Sequence, residues 1–523
     1  MINKRLILLV ALMAVMLAAI VPAYRGIDFG HHWDEPRLLD SACESIESGI
    51  LLPRWYSYPS LSYDLVAICA VPKMGIIMVD EFGRKGPDNT TRIKAIKMRL
   101  LDYVHSTDYK LLVRAIFIVL TYLAVIWIGL LVYRWRGSIP EAVIAAGILA
   151  GSWELNYHSR WIAPDGILMQ FGVLSLMFLM HGIRNEARKG FWIKLAAVTA
   201  GLACGTKYTG GIFLIPVLAS LFMWPDIMPQ INSKQAIKSV FIILACFTVA
   251  FVITTPGALL EPVRFVRHVS WEMSHYGRGH YGHSINAGFE HAYLLFVYLS
   301  QVSLSANSII ALVWCGFAVI GTWSAYKDDK KEAILILMVP LVYFVYMSIQ
   351  KVMIVRNYLL LLPFMAVFAA RGIALIYETS SRRWKWLGVA VYVLVFIMFV
   401  INIRGLISTS ETIRNRHNVS QKDEVLNYIR SHIKQGFVLS AEAREQLLID
   451  QKEFICPDAR KTNYVFMARW WGAGLANRKG RYQLISGSRE VNFDYYPDWA
   501  GDVRVVAMDY KDALLAGMIT DGK

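Results

Sequence analysis

The strongest constraint on the fold is a series of long apolar runs that occupies most of the chain up to residue 403. At a helical rise of about 1.5 Å per residue, each run suits a membrane crossing. About eleven such runs occur, at 6–23, 112–133, 140–156, 163–182, 191–206, 208–224, 237–254, 305–323, 332–349, 357–377 and 385–403. With 56% hydrophobic and 18% charged residues, the 523-residue chain carries more apolar surface than a soluble core could bury. The sequence therefore predicts an α-helical polytopic membrane protein.

The first apolar run, 6–23, follows Lys4 and Arg5 and ends in Val21-Pro22-Ala23, whose small residues a signal peptidase would accept. A cleaved secretory signal is therefore one reading of this run. Because the run is longer than a typical signal core, we expect an uncleaved first span instead.

A further apolar segment, 61–79, is interrupted by Asp64, Pro72 and Lys73, which favours a helix lying at the membrane interface. If this segment does not cross, most basic clusters share one side of the membrane with the N-terminus. They comprise Arg134, Arg136, Arg184, Arg188, Lys189, Lys234, Lys238, Lys327, Lys330, Lys331, Arg382, Arg383 and Lys385. Basic loop residues mark the cytoplasmic side of a membrane protein. Most of the net charge of +15 therefore reflects the orientation of the chain in the membrane. We do not expect nucleic acid as a partner.

The same topology predicts which segments lie outside the membrane on the opposite, extracytoplasmic face. They are 24–110, 157–162, 205–208, 255–290, 350–357 and 404–523. We predict a transmembrane domain over 1–403, in which 24–110 is a first outer loop with juxtamembrane helices. Residues 404–523 are more polar, with an amphipathic stretch from Ser420 followed by the strand-like runs GFVLS, NYVFMA and DVRVVAM. This pattern predicts a small extracytoplasmic α/β domain.

Several charged residues that could take part in catalysis or binding fall in or beside these outer segments. They are Asp34, Glu35, Arg160, Asp165, Lys207 and Arg356. Each also has an ordinary explanation. The acidic pair 34–35 can be solvated interfacial charge, Asp165 can complement a helix dipole after Pro164, and Lys207 and Arg356 can snorkel to the interface.

The outer loop from Glu261 to His291 is unusual in its histidine content. Five of the twelve histidines of the chain lie in it, at 268, 275, 280, 283 and 291. Their spacing matches no standard metal-ligand signature, and no cysteine joins them. A polar loop that binds substrate through His and Arg donors is the favoured interpretation, and a divalent metal site is the alternative.

Together, these loops would place carboxylates and fixed cations around one cavity at the outer membrane surface. Such a set suits an anionic lipid headgroup and a hydroxyl nucleophile. Sugar transfer from a polyprenyl phosphate needs one base for the acceptor proton, whereas the leaving phosphate is a weak base that needs cations rather than an acid.

Five motifs, in order along residues 1–400, resemble those of the GT-C membrane glycosyltransferases that use polyprenyl- or dolichyl-phosphate sugars, such as protein O-mannosyltransferases and the lipid A aminoarabinose transferase. Asp34-Glu35-Pro36-Arg37 resembles the family's DExR motif, and GILLPRWYSYPSL (49–61) resembles its stretch of glycine, proline and a closing PPL. SRWIAPD resembles its Arg-to-Asp motif, GLACGTKYTGG its LTKG-like turn, and VRNYLLLLP its RYxLPxxP.

The resemblance implies that Asp34 is the base or a substrate-orienting carboxylate with Asp165 close by, and that Lys207 and Arg356 contact phosphate. In the aminoarabinose branch a Glu-Lys pair precedes two prolines, and its Glu helps to hold a metal. Here Ser57 and Tyr58 stand in those places. This departure disfavours membership of that branch, so we predict no metal ligands and no certain cofactor.

The predicted catalytic residues are Asp34, Glu35 and Asp165. The predicted substrate-binding residues are Arg37, Tyr58, Arg160, Lys207, Tyr208, Glu272, His275, Arg278, His280 and Arg356.

The sequence thus predicts an inverting glycosyltransferase of the inner or plasma membrane, with its active site on the extracytoplasmic face. Its partners would be a polyprenyl-phosphate-sugar donor, a hydroxyl acceptor on a lipid, glycan or protein, and the bilayer. The main alternative is a lipid or sugar transporter or flippase, which would place ionisable residues near the middle of spans or show broken helices in corresponding halves. A membrane-anchored binding protein that acts through 404–523 is a third reading, but it does not explain the ordered outer-loop motifs.

Overall fold

A computed structural model describes most of the chain. The described residues are 4–28, 35–84, 88–185, 188–224, 233–279, 284–417, 421–432, 437–440, 459–469, 481, 483–486, 503–516 and 518–519.

The described residues up to 417 fold mostly into helices. In chain order they are α1 (Lys4–Tyr24), α2 (Glu35–Ser48), α3 (Leu61–Gly83), α4 (Asn89–Val104), α5 (Thr107–Arg136), α6 (Ile139–Ala150), α7 (Trp153–His158), α8 (Pro164–Arg184), α9 (Lys189–Thr206), α10 (Leu214–Met223), α11 (Ser233–Thr254), α12 (Gly257–Leu260), α13 (Pro262–Arg278), α14 (Phe289–Gln301), α15 (Ser308–Asp328), α16 (Lys330–Ser348), α17 (Leu362–Arg383) and α18 (Lys385–His417). Two 3₁₀ helices, Tyr208–Phe213 and Val355–Leu361, lead directly into α10 and α17.

Eight helical stretches in the described part of the chain have the length and composition of membrane spans. They are Lys4–Tyr24, Thr107–Arg136, Pro164–Arg184, Ile237–Thr254, Ser308–Asp328, Lys330–Ser348, Val355–Arg383 and Lys385–Glu411. The other three predicted spans are helical but shorter or less apolar, because α6 and the stretch from Tyr208 to Met223 are short and α9 carries Lys189 and Lys194. The predicted polytopic helical architecture is confirmed, with eight qualifying spans against the eleven expected.

The centre of the bundle is formed by α5, α8 and α17, which are the most deeply buried of the candidate spans. Helix α8 packs between α5 and α9, and α15 packs along α17. The α15–α17 contact is close because glycines face each other. A Cβ built on Gly321 would lie 1.8 Å from the Phe368 carbonyl oxygen, and one on Gly372 would lie 2.0 Å from that of Phe317. Small residues at such a crossing let two backbones approach within a membrane.

The segment predicted to be the first outer loop forms a second, smaller core beside the bundle. Helices α2, α3 and α4 bury Leu38, Val66 and Leu100 against Val113 and Phe117 of α5. Helix α3 contains the segment 61–79 and is not among the candidate spans of the described residues; Asp64, Lys73, Asp80 and Glu81 lie along it. Whether this helix crosses the membrane stays a prediction.

The C-terminal region contains the predicted small α/β unit. It consists of α19 (Gln421–His432), β1 (Phe437–Leu439), a 3₁₀ turn (Ala459–Lys461), β2 (Asn463–Arg469), β3 (Gln483–Ser486), β4 (Val503–Asp509) and α20 (Tyr510–Leu515). The sheet order is β1-β2-β4-β3, with β1 parallel to β2 and the other pairs antiparallel. Helix α18 runs through the predicted domain boundary at 403/404, and Ile413 still belongs to the core of the helical bundle.

Candidate active site

Three of the sequence motifs converge at the ends of helices to form a buried charged cluster. Asp165 lies in the first turn of α8, Lys207 follows the last residue of α9, and Arg356 lies near the start of the 3₁₀ helix that leads into α17. The chain can turn back after Lys207 because Gly210 has no side chain, since a Cβ there would lie 2.3 Å from the backbone of Ala203. We call Asp165, Lys207 and Arg356 the charged cluster.

The two cations of the charged cluster flank its carboxylate. Lys207 Nζ lies 2.8 Å from Asp165 Oδ1, and Arg356 Nε lies 3.4 Å from Asp165 Oδ2. All three side chains are at most 8% exposed. Ion pairs out of water interact strongly, and a buried carboxylate needs such compensation. The cluster therefore holds one excess cation at a fixed place.

Asn357 and two tyrosines orient the lysine from the other side. Lys207 Nζ donates to Asn357 Oδ1 at 2.6 Å, while Asn357 Nδ2 donates to the Tyr276 hydroxyl at 3.2 Å. The Tyr343 hydroxyl donates to the Asn357 carbonyl at 2.8 Å. Sequence reasoning did not identify Asn357, although its place directly after Arg356 in VRNYLLLLP was the available signal.

A row of cations and aromatic rings links the predicted first outer loop to the charged cluster. The Arg37 guanidinium lies 5.5 Å from the Trp55 ring centre, and the Trp55 and Tyr58 rings meet edge to face at 5.4 Å. Lys207 Nζ lies 5.8 Å from the centre of the Tyr58 ring. Cations within about 6 Å of an aromatic face are attracted to it. The predicted substrate-binding residues Arg37, Tyr58 and Lys207 are thus brought into one continuous row.

The same loop is tied to the segment after α11 by hydrogen bonds from Tyr56, and to the 3₁₀ helix after α9 by a hydrogen bond from Tyr208. The Tyr56 N–H donates to His268 Nδ1 at 2.9 Å, and its hydroxyl donates to Glu261 at 2.6 Å. The Tyr208 hydroxyl donates to the Tyr56 carbonyl at 2.7 Å. Burial, with nearby arginines, holds the pKa of His268 below its usual value, in agreement with a neutral ring that accepts this hydrogen bond.

Glu35 is held by donors rather than facing an open space. Arg114 Nε and Nη2 bind its two carboxylate oxygens at 2.8 and 2.6 Å, Lys110 Nζ lies 3.3 Å away, and the Ile162 N–H donates at 3.2 Å. Burial alone would raise the pKa of Glu35, but these donors, chiefly Arg114, outweigh it and hold the pKa below the ordinary glutamate value. Because four donors occupy the Glu35 carboxylate, the contacts favour a structural role in which Glu35 joins α2 to α5. No lone pair of the carboxylate is left to accept a proton in the predicted catalytic role.

We expect Glu35→Gln to lower the free energy of unfolding by about 3–5 kcal/mol, because the change leaves Arg114 buried without its counter-charge. Because the pKa of Glu35 is lowered, its contribution is present at neutral pH and is lost as pH falls through that lowered pKa. Thermal unfolding in detergent measures the loss. Glu44→Gln, at an exposed position of the same helix, is the control and should stay within roughly 0.5 kcal/mol. Equal stability of the two variants would contradict this assignment.

Arg160 is likewise occupied by the fold. Its guanidinium donates to the carbonyls of Pro22 at 2.7 Å and Arg25 at 3.3 Å, to Asn156, and to the Ser410 hydroxyl at 2.8 Å. These bonds satisfy carbonyls at the end of α1 and join that end to α7 and α18. The contacts favour a structural role for Arg160 over the predicted contact with substrate.

Three more of the predicted residues, Glu272, His275 and Arg278, lie on α13. Glu272 acts electrostatically on Tyr208, and the His275 ring stacks on Trp271 with 5.1 Å between centres. Arg278 is exposed at the end of the helix. His280 and Asp34 lie outside the described residues. Among the residues that the structure describes, no three His, Cys, Asp or Glu side chains are grouped so as to hold a metal ion.

Residues 96–269 match the family model described as dolichyl-phosphate-mannose-protein mannosyltransferase. This range includes two of the three members of the charged cluster. The match confirms the resemblance predicted from the motifs. No curated protein sequence matches the chain.

Solved structures that match the chain include ArnT from Cupriavidus metallidurans bound to undecaprenyl phosphate. It is 14% identical, with 95% of this chain and 97% of that chain covered and a TM-score of 0.49. The archaeal oligosaccharyltransferase AglB from Archaeoglobus fulgidus, in complex with an inhibitory peptide and a dolichol-phosphate, is 10% identical, with 83% of this chain and 63% of that chain covered and a TM-score of 0.48. At such identities the reaction has to be inferred from the residues of the site.

Proposed function

We propose that this chain is an inverting glycosyltransferase that moves a sugar from a polyprenyl-phosphate-linked donor to a hydroxyl acceptor. The observation that carries the proposal is the charged cluster, in which Lys207 and Arg356 come together from separate motifs around one buried carboxylate. The match of residues 96–269 to a mannosyltransferase family supports the same class of donor.

The charged cluster fits the chemistry of a leaving phosphate. In the transfer, the bond between the anomeric carbon and the phosphate oxygen breaks while the acceptor oxygen bonds to that carbon from the opposite face. The phosphate gains negative charge as it leaves, and Lys207 and Arg356 are placed to stabilise that charge in a site that excludes water. The acceptor's proton passes to one carboxylate, which we propose to be Asp34.

The position of the cluster argues against a transporter. Asp165, Lys207 and Arg356 lie at helix ends, within the first turn of α8, after α9 and before α17. A transporter would hold its ionisable groups near the middle of the membrane, often on broken helices. The cluster instead suits a headgroup that stays at the membrane surface while its lipid tail remains in the bilayer.

We place this surface on the extracytoplasmic face of the inner or plasma membrane. The support is the distribution of basic loop residues, which favours the opposite face as cytoplasmic. In this topology α3 lies along the outer surface, and the small C-terminal unit is outside as well.

Turnover by the purified full chain in lipid nanodiscs tests the proposal. We expect release of polyprenyl phosphate from mannosyl phosphoryl polyprenol, the first donor to try given the matched family, when a cell-envelope extract supplies hydroxyl acceptors. Transfer should survive strong chelation, because Ser57 stands where a metal-binding Glu would be and the histidine spacing fits no ligand signature. Activity that is abolished by chelator and restored by a divalent ion would refute the metal-free mechanism. Sugar movement across the membrane without donor cleavage would refute the transferase.

A further inference from the structure

Helix α3 begins at a buried serine that does not cap it. Ser60 holds the N-cap position but makes no side-chain hydrogen bond to the helix. The residue is 1% exposed, and its hydroxyl has no hydrogen-bond partner among the residues that the structure describes. The first N–H groups of a helix lack intrahelical acceptors, and a buried hydroxyl without a partner lowers stability. This end of α3 therefore has donors that the described part of the chain does not use.

The start of α3 lies beside the lysine of the charged cluster. The Tyr58 ring, two residues before Ser60, has its centre 5.8 Å from Lys207 Nζ. Directly after Ser60, the Cβ of Leu61 lies 3.9 Å from a Cβ built on Gly205, which is two residues before Lys207. Ser60 therefore stands between one residue that contacts Lys207 and another that packs against the chain leading into Lys207.

The backbone of Ser60 is fixed by two hydrogen bonds. Its N–H donates to the Thr255 hydroxyl at 3.2 Å, and its carbonyl accepts from the Asp64 N–H at 2.8 Å. Thr255 is itself fully buried, directly after α11. Within the described part of the chain, the hydroxyl is therefore the donor of Ser60 that is left for a ligand, and its place is set before a ligand binds.

Two other polar residues lie in the first turn of α3. Asp64 is its acidic residue, and burial raises the pKa of Asp64 to about 7, so near neutral pH it gives the helix N-terminus less than a full counter-charge. Ser62 resembles Ser60, since it is buried and its hydroxyl has no described partner. It lies about 200° further around the helix axis, on the side of Val66, which packs against α5.

We propose that Ser60 and the N-terminus of α3 bind the phosphate of the lipid donor, together with Lys207 and Arg356. The Ser60 hydroxyl donates to a phosphate oxygen, and the first N–H groups of the helix attract the same anion. A phosphate suits this place better than a neutral ligand, because the helix N-terminus and the neighbouring cations both attract negative charge. Ser60 is the second residue of the PPL-like stretch, where a proline has no hydrogen-bond donor. The inference rests on the proposed function, because it concerns how the same site binds its donor.

Donor kinetics of Ser60→Ala test the proposal in the full chain in nanodiscs. We expect kcat/KM for the donor to fall about 10- to 100-fold, as for loss of one hydrogen bond to a charged group, with acceptor KM unchanged. The unfolding temperature should not fall, because the change removes no hydrogen bond within the described part of the chain. Ser60→Thr, which keeps a hydroxyl, should retain more of the donor kcat/KM than Ser60→Ala.

Ser62→Ala is the matched control, since it also removes a buried hydroxyl without a described partner from the first turn of α3. We expect its donor kinetics to equal those of the wild type. Donor kinetics of Ser60→Ala that equal those of the wild type, or equal losses in the two alanine variants, would overturn the proposal. Should Ser60→Ala lose stability, its comparison with Ser60→Thr decides, and equal donor kcat/KM in those two variants would reject the inference.

Thermal stabilisation by added lipid separates the phosphate from the sugar and from the lipid tail without any turnover. We expect polyprenyl phosphate to stabilise the wild type more than Ser60→Ala, and polyprenol, the same lipid without its phosphate, to stabilise both equally. A Ser60 effect seen with the sugar donor but not with polyprenyl phosphate would assign Ser60 to the sugar and reject the inference. A wild type that binds polyprenyl phosphate with this dependence on Ser60 but transfers no sugar would reject the proposed function and keep the inference.

Discussion

Replacing Lys207 with methionine is expected to lower kcat/KM for the donor by about 10²- to 10³-fold, the cost of removing one preorganised group that stabilises developing charge. The ammonium lies 2.8 Å from Asp165 and 2.6 Å from Asn357, and it is almost fully buried. In the proposed reaction this group is fixed before the phosphate arrives, so little reorganisation is needed. Steady-state kinetics with varied donor in nanodiscs measure the effect.

A double variant separates this role from simple neutralisation of Asp165. Lys207→Met alone leaves the buried carboxylate with one cation fewer, and a broken buried pair can cost about 3–5 kcal/mol in stability. Lys207→Met combined with Asp165→Asn removes both charges and should restore most of the stability. If Lys207 binds phosphate, the double variant stays slow. Recovery of turnover along with stability would show that Lys207 serves only to neutralise Asp165.

The convergence of distant motifs could be predicted from the sequence because it follows from membrane topology. Asp165, Lys207 and Arg356 each stand at the end of an apolar run, and the parity of the spans places these ends on one side. Hydropathy and charge are properties of single segments, so they can be read from the sequence without knowledge of the tertiary structure. The structure adds that the three side chains touch.

The internal pairs could not be predicted, because they join residues with no shared local pattern. Glu35 binds Arg114, which lies in an apolar run where a lone cation looks like an interfacial anchor. Arg160 satisfies carbonyls at the end of α1, a need that arises only once the helices are packed. Asn357 of the 3₁₀ helix before α17 and Tyr276 of α13 meet in the same way. In each case the partner is set by packing rather than by spacing.

The residues at which helices begin and end were the least predictable part of the fold. The apolar composition of residues 385–403 ends near the polar stretch that follows, so a span ending at 403 was expected. The helix continues to His417, because Ser410 donates to the Pro22 carbonyl at 2.6 Å and Ile413 packs in the core. Tertiary contacts of this kind extend a helix past the point where its hydropathy falls.

Asp34→Asn is expected to reduce transfer by about 10²- to 10⁴-fold, the usual cost of losing a general base, while the protein stays folded and still binds the lipid donor. Asp34 lies outside the described residues, and the expectation rests on its place in the motif Asp34-Glu35-Pro36-Arg37. Its neighbour Glu35 is bound by Arg114 on both oxygens, so Asp34 is the member of the pair left for proton transfer. The amide has nearly the size of the carboxylate but cannot accept the acceptor's proton.

The variants of Asp34 and Glu35 should change different properties, turnover in one and stability in the other. Their comparison therefore shows which carboxylate is the base. Asp34→Asn should lower kcat with unfolding temperature and donor binding unchanged, whereas Glu35→Gln should lower the unfolding temperature first, because it breaks a buried ion pair. Single-turnover transfer and thermal unfolding are measured on the same nanodisc samples. If Glu35→Gln abolishes turnover at full stability and Asp34→Asn does not, the base is Glu35 and its bond to Arg114 must open during catalysis. If both variants keep normal turnover, the acceptor's proton goes elsewhere, and Asp165, held between Lys207 and Arg356, becomes the carboxylate to replace next.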